Sequence, residues 1–309
     1  MVKNVSSWPK FVHIKEVGPR DGLQNEKIFI PTSDKIEWIN MMAESGLSMI
    51  EFTSFVPAKW VPALADASEV GKKIKRNPGI SYSALIPNRL GLERALEAGI
   101  DDVSVFISAS ETHNMKNINK SIIQTYPIIY DVITEAKKVG KKVTGYVSTV
   151  FDCPFEGKVE PEQVVRVCDK LFEFGVDAIS LGDTIGSAVP TQVEGLLDVI
   201  LSRYPVDRIF MHFHDTRGMA AVNILKSLEY GINHFDSSIG GLGGCPYAPG
   251  AKGNIATNDI LYLLHGLGID TGISEEKIFE ASNFIQDKMN NHLPSRVFEY
   301  YKSQYDYSK

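Results

Sequence analysis

Short apolar runs recur along the chain, and most follow a glycine that closes a helix-like stretch. Glu44-Ser45-Gly46 leads to the run 49–52, Glu97-Ala98-Gly99 to 103–107, and Lys138-Val139-Gly140 to 143–150. Glu173-Phe174-Gly175 leads to 178–181, and Glu229-Tyr230-Gly231 to 234–239. Glycine takes the left-handed conformation that ends a helix. An apolar run directly after it predicts a buried parallel strand. Three further runs, 11–17, 81–86 and 209–213, bring the expected strands to about eight. Helices are predicted over 34–44, 88–98, 161–174 and 190–203, with Pro161 and Pro190 in first turns, where proline is tolerated. Alternation of this kind predicts a (β/α)8 TIM barrel over about 11–264. A doubly wound sheet is the second choice, and the lack of Gly-x-Gly-x-x-Gly after the first strand counts against it. The remaining tail, about 265–309, carries a helix over 275–289 and an aromatic segment (Phe298, Tyr300, Tyr301, Tyr305, Tyr307). It reads as a cap or an oligomer contact on a single domain, 1–309, rather than as a second domain.

Composition narrows the functions. The chain has 309 residues, 43% of them hydrophobic, and a net charge of -6. No stripe of Lys and Arg is present, so nucleic acid is not an expected partner. No apolar stretch approaches the roughly 20 residues of a membrane span. The N-terminal residues show no signal or transit pattern, and Cys153, Cys168 and Cys245 are scattered. A reducing compartment with free thiols is expected, with the cytoplasm as the default. An anionic substrate would meet local cations such as Arg20, Lys27, Lys59 or Lys252.

Barrel enzymes place their chemistry at the C-terminal ends of the strands. Polar residues stand there in turn: Arg20 and Asp21 after the first run, Glu51 in the second, Tyr146 in the fifth, Asp183 and Thr184 after the sixth, His212 and His214 on the seventh. Residues i and i+2 of a strand share a side, so two imidazoles project together. Asp21 ends the first strand, which is expected to lie next to the seventh across the barrel closure. One carboxylate and two imidazoles suit a divalent metal, and the lack of thiolate favours Mg²⁺ or Mn²⁺. His214-Asp215 has a second reading as a cap for the following helix. Glu51 is expected to be buried near Arg20, either as a plain ion pair or to orient the arginine. The loop Ser238-Ile239-Gly240-Gly241-Leu242-Gly243-Gly244-Cys245-Pro246-Tyr247 reads equally as a phosphate-cradling segment with an incidental cysteine or as a lid carrying a thiol. His13, His113 and His234 read as structural, His265 as a helix position and His292 as part of the tail. Cys168 falls on the core face of a helix and Cys153 in a turn, and neither is expected to react.

Four stretches carry a resemblance over nearly the whole chain. Gly18-Pro19-Arg20-Asp21-Gly22-Leu23-Gln24-Asn25-Glu26, Glu51-Phe52-Thr53-Ser54-Phe55-Val56, His212-Phe213-His214-Asp215-Thr216 and Gly241-Leu242-Gly243-Gly244-Cys245-Pro246-Tyr247 resemble the 3-hydroxy-3-methylglutaryl-CoA lyase family. The Arg-Asp and His-x-His elements are shared with relatives such as isopropylmalate synthase and hydroxy-oxovalerate aldolase. The cysteine loop is more specific to the acyl-CoA lyase branch. The resemblance implies cleavage of the acyl-CoA to acetyl-CoA and acetoacetate in leucine breakdown, by a cytoplasmic homodimer. It implies Asp21, His212, His214 and Asn254 as metal ligands, and Arg20, Asp21, Glu51, His212 and Cys245 as catalytic groups. Arg20, Gln24, Lys27, Ser54, Asn117, Tyr146, Ser180 and Thr184 match substrate positions. The proton acceptor is left open between Asp21 and His212. Asn258-Asp259 stands where some relatives carry an acidic pair. Rival readings are a lyase for a bulkier 3-hydroxy-3-alkylglutaryl-CoA, a 2-oxo-acid aldolase or synthase of the same superfamily, and an inactive metal-binding barrel.

Overall fold

A computed structural model of the chain describes residues 8–26, 28–244 and 253–307. The strands are β1 His13–Glu16, β2 Met49–Ser54, β3 Ser81–Leu85, β4 Asp102–Ser108, β5 Lys142–Ser148, β6 Asp152–Cys153, β7 Gly157–Lys158, β8 Ala178–Asp183, β9 Ile209–Phe213 and β10 His234–Ser237. Eight of them close a barrel in the order β1-β10-β9-β8-β5-β4-β3-β2, every neighbouring pair parallel. β6 and β7 form a separate antiparallel hairpin after β5. The helices are α1 Thr32–Ala43, α2 Ala67–Lys73, α3 Arg89–Glu97, α4 Glu111–Ile118, α5 Ile122–Lys138, α6 Pro161–Phe174, α7 Pro190–Leu201, α8 Ala220–Glu229, α9 Thr257–Gly266, α10 Glu275–Met289 and α11 Arg296–Tyr307. This is the expected (β/α)8 barrel with extra C-terminal helices. Among the described residues no helix is long and apolar enough to cross a membrane.

Local chemistry explains the punctuation. The glycines that close the helices all take positive φ: Gly46 (99°), Gly99 (78°), Gly140 (75°), Gly175 (98°) and Gly231 (80°). In α6, Val164, Val167, Cys168 and Leu171 recur at helical spacing and are buried, while Pro161 opens the first turn. Cys168 is thus on the core face, as expected, and burial pushes its thiol pKa up.

Strand alternation sorts the barrel into two layers. Ile14, Ile50, Val103, Val105, Val147, Ile179, Leu181, Met211 and Phe235 are buried apolar positions of the strands. Many of the alternate positions are polar, and some bond across the interior. Lys15 on β1 donates to Ser104 on β4 (3.2 Å), and Ser180 on β8 donates to Asp236 on β10 (2.9 Å). Those strands are not neighbours, so these bonds cross the barrel. The expectation that the first strand borders the seventh is corrected here. β10, the eighth barrel strand, lies between β1 and β9. Asp21 still reaches the histidines because it sits on a turn beyond the end of β1.

The segment 253–257 completes the rim. Asp215 and Ile255 exchange backbone bonds with Gly253 and Phe213, and Ser238 bridges to Ala256. An isolated antiparallel bridge sets Asn254 beside His214. Beyond it, Asn258 accepts from the Gly240 N–H (3.0 Å) and donates to Ser282 on α10 (3.0 Å). Asp259 accepts from Ser295 (2.6 Å) and from the Val297 N–H on α11 (3.0 Å). The Asn258-Asp259 pair therefore ties the C-terminal helices to the barrel rim.

Candidate metal centre and active site

The first-strand motif folds into one wide turn. The Val17 carbonyl accepts from the N–H groups of Arg20 (3.1 Å), Asp21 (2.7 Å) and Gly22 (3.3 Å). Both glycines are needed for close approach. A Cβ on Gly18 would lie 2.6 Å from Glu16 Oε1, and one on Gly22 3.0 Å from Leu242 Cβ and Ser238 Oγ. The turn buries Arg20 and Asp21 and ion-pairs their side chains.

Glu51 is the hub beneath them. It is fully buried and receives Arg20 Nε (2.5 Å), Ser104 Oγ (2.5 Å) and Tyr146 OH (3.1 Å), with Lys15 Nζ at 3.3 Å. Burial alone would raise its pKa, but Arg20 and Lys15 outweigh it and hold the carboxyl down at about 2. Burial likewise opposes the charges on Arg20 and Asp21. Glu51 and Asp21 overcome it for the guanidinium, and Arg20 holds Asp21 well below the ordinary carboxylate range. Tyr146 goes the other way: burial, Asp236 and Glu51 keep it protonated far above its usual range. Both readings offered for Glu51 describe the same contact, since an ion pair through Nε also fixes the plane of the guanidinium.

His212 and His214 stand together at the end of β9, ring centroids 5.1 Å apart. Asp21 Oδ2 lies 3.9 Å from His212 Nε2 and 3.8 Å from His214 Nε2. Ligand atoms of Asp21, His212 and His214 all fall within 4.8 Å of one another. His212 Nδ1 pairs with Asp236 Oδ2 (3.1 Å), which turns its Nε2 toward Asp21. Burial pushes His212 down, but the Asp236 hydrogen bond outweighs it and the pKa is raised. Asn254 donates to Asp21 Oδ2 (2.9 Å) and to the Leu242 carbonyl (3.1 Å). Its Oδ1 is buried and meets no donor among the described residues, and neither does His214 Nδ1. Two imidazoles, one carboxylate and a buried amide oxygen without a donor fit a divalent cation. A carboxylate on the outer nitrogen of one ligand histidine is the usual support for such a site.

The HMGL-like family matches residues 11–285 of this chain. A hydroxymethylglutaryl-CoA lyase of Bacillus subtilis is 54% identical over 96% of this chain and 99% of its own. The chain belongs to the hydroxymethylglutaryl-CoA lyase family. A crystal structure of a B. subtilis HMG-CoA lyase shares the fold at TM-score 0.94 and 54% identity, covering 96% of this chain and 99% of that one. An HMG-CoA lyase from Acinetobacter baumannii, solved in complex with coenzyme A and 3-methylmalate, matches at TM-score 0.90 and 37% identity, covering 94% and 95%.

Within this lyase framework the candidate residues divide. Gln24 joins the centre, its amide on Asp21 Oδ1 (2.8 Å). Ser180 supports Asp236, and Tyr146 supports Glu51 with its ring edge toward His212 at 6.3 Å. Thr184 accepts from the Thr149 N–H (2.7 Å) at the rim beside β8. Ser54 is buried at the end of β2 and accepts from the Val56 N–H (3.2 Å). Asn117 is exposed on α4, the helix that follows β4. Lys27, Cys245 and Lys252 lie outside the described residues. The capping reading of Asp215 is corrected: the N-cap of α8 is Met219, and Asp215, five residues before Ala220, accepts from the Ala220 N–H (3.0 Å) from outside the helix. His113 is buried against Ser108, and His265 lies between Glu275 and Thr271. Cys153 is buried and receives the Ser110 hydroxyl (2.9 Å).

Three supporting residues escaped the sequence reading: Asp236, Lys15 and Glu16. Each is a charge inside an apolar run, the signal that singled out Glu51.

Proposed function

We propose that the chain cleaves 3-hydroxy-3-methylglutaryl-CoA to acetyl-CoA and acetoacetate. The observation that carries the reading is Arg20, locked between Glu51 and Asp21 at the edge of the Asp21–His212–His214 donor set. Asp21, His212, His214 and the Asn254 amide oxygen would hold the metal, with Mg²⁺ or Mn²⁺ favoured by oxygen and imidazole donors without thiolate. Bound there, a divalent cation supplies Lewis-acid chemistry that makes the tertiary hydroxyl of the substrate easier to deprotonate.

The chain's own residues supply the rest. The hydroxyl proton passes to one group of this shell, Asp21 or His212. The carbon–carbon bond breaks, its electrons move to the thioester as an enolate, and the former alcohol carbon becomes the ketone of acetoacetate. The Arg20 guanidinium, always charged and fixed by two carboxylates, neutralises the enolate oxygen as it forms. Glu51 and Gln24 hold that arrangement, and Cys245 protonates the enolate carbon to give acetyl-CoA. Ser54, Asn117, Tyr146, Ser180 and Thr184 line the acyl-CoA site, with Lys27 toward the coenzyme. The same reading assigns the chain to leucine breakdown in the cytoplasm, as a homodimer of single-domain subunits.

Acetoacetate release from 3-hydroxy-3-methylglutaryl-CoA is the test, using metal-stripped protein with and without added Mg²⁺ or Mn²⁺. Turnover restored by the metal is expected. No turnover by protein shown to hold metal overturns the substrate assignment.

A further inference from the structure

Glu16, the last residue of β1, is fully buried and stands apart from the ion network inside the barrel. Its Oε1 accepts from the backbone N–H of Gly18 (2.8 Å) and of Ile239 (2.9 Å). Its Oε2 accepts from the Thr257 hydroxyl (2.6 Å). Among the described residues no Lys, Arg or His pairs with it. Three hydrogen bonds are therefore what offset the cost of burying this carboxylate. They do so incompletely, since burial still raises its pKa to about 7.

The three donors belong to three segments of the active site. Gly18 opens the turn that carries Arg20 and Asp21. Ile239 opens the stretch 239–242, whose Leu242 carbonyl receives the Asn254 amide. Thr257 ends the rim segment that carries Asn254 and begins α9. Two candidate metal ligands from distant parts of the sequence, Asp21 and Asn254, thus hang from one carboxylate.

We propose that Glu16 is a positioning residue. Its carboxylate fixes the Arg20–Asp21 turn and the two segments around Asn254 in one mutual arrangement, and so sets the metal-binding geometry without touching metal or substrate. The consequence for metal rests on the metal reading above, while the clamp itself does not.

Two variants separate clamp from charge. Glu16→Ala removes both acceptors. Glu16→Gln keeps one oxygen for the two N–H groups and turns its amide toward Thr257, whose hydroxyl can accept and donate instead to Ser237 (2.7 Å). Hydrogen exchange reads the clamp. In Glu16→Ala, peptides covering 17–22, 238–242 and 254–257 exchange at least about tenfold faster, with β4 unchanged, and Glu16→Gln stays within about threefold of wild type. Mn²⁺ titration reads the consequence: Glu16→Ala weakens binding by about 10–100-fold and lowers kcat more than it moves KM, and Glu16→Gln restores most of both. Unchanged exchange in Glu16→Ala, or equal damage from Gln and Ala, overturns the clamp. Wild-type protein that binds no Mn²⁺ overturns the metal reading, and the exchange data still judge the clamp. Should Glu16→Ala not fold, Thr257→Val replaces it. Faster exchange at 254–257 with weaker Mn²⁺ binding supports the proposal, and wild-type values of both overturn it.

Discussion

The barrel carries a histidine pair at each end, and the two pairs share little beyond residue type. At the N-terminal end, His13 and His234 are register partners on β1 and β10, rings stacked at 4.5 Å. Phe210 stacks on His234 at 4.3 Å, and Phe11 meets His13 edge-on at 4.9 Å. Burial lowers both pKa values, and His234 falls to about 4, helped by His13. At the C-terminal end, His212 and His214 lie at a similar ring separation, 5.1 Å, but face Asp21 and Asp236. There the carboxylates overcome burial and His212 is raised. The first pair works as two neutral aromatic plates. The second is a donor set. What separates them is the carboxylates within reach, not the histidines.

The largest expected effect follows from removing a donor at the second pair. His214→Ala should abolish measurable Mn²⁺ binding and lower acetoacetate release by about 10³-fold or more. The double variant His13→Phe/His234→Phe should keep kcat/KM within about twofold, since aromatic stacking survives the change. Parallel metal titration and kinetics on both variants check the pair of outcomes. Comparable losses at the two ends would erase the distinction.

A smaller effect tests whether Asp236 is what makes His212 different. Its Oδ2 fixes His212 Nδ1 and is itself held by Ser180. Asp236→Asn keeps the shape but can donate as well as accept, so the imidazole loses its single orientation and tautomer. Metal affinity or kcat/KM should drop about 10–100-fold, as for other outer supports of ligand histidines. Ser180→Ala, which loosens Asp236 without replacing it, should cost less than Asp236→Asn in the same assays. The reverse order would mean that Asp236 does not orient His212.

The same contrast explains what was legible in the sequence. The barrel could be read because its strands are apolar runs started by helix-ending glycines, and both signals are local. Arg20, Asp21, His212 and His214 could be read because charge at a strand end is costly unless used. Asp236 was hidden: it sits mid-run between Phe235 and Ser237, and only the closed topology shows that its side points inward to His212. Glu16 was hidden for a related reason, since its three donors come from positions 18, 239 and 257. Asn254 has no local signal at all; its place beside His214 depends on a single bridge at the rim. The mistaken neighbour of the first strand has the same root, because strand order around a closure is set by the whole chain. Residues whose role depends on pairing across the barrel are the ones that local patterns miss.

The smallest effect concerns stability at the aromatic end. His234 is neutral in the fold, with its pKa lowered to about 4 from 6.5, chiefly by burial. Between those values the unfolded chain binds the proton that the fold refuses. Stability therefore rises with pH in this window and is lost as pH falls from 6.5 toward 4. Discounted for partial exposure, the loss from pH 7 to pH 5 should be about 1 kcal/mol, or a few degrees in Tm. His234→Phe keeps the stack on Phe210 and gives up one bond to Asn233 (2.9 Å). It should lower Tm slightly at pH 7 and narrow the gap between pH 7 and pH 5 by about those few degrees. Melting both proteins at the two pH values isolates the histidine, because groups common to both, Glu16 included, cancel in the difference. An unchanged gap would mean that His234 titrates as freely in the fold as out of it. The aromatic end would then be no more hostile to charge than water, and burial without carboxylates could not be what sets the two pairs apart.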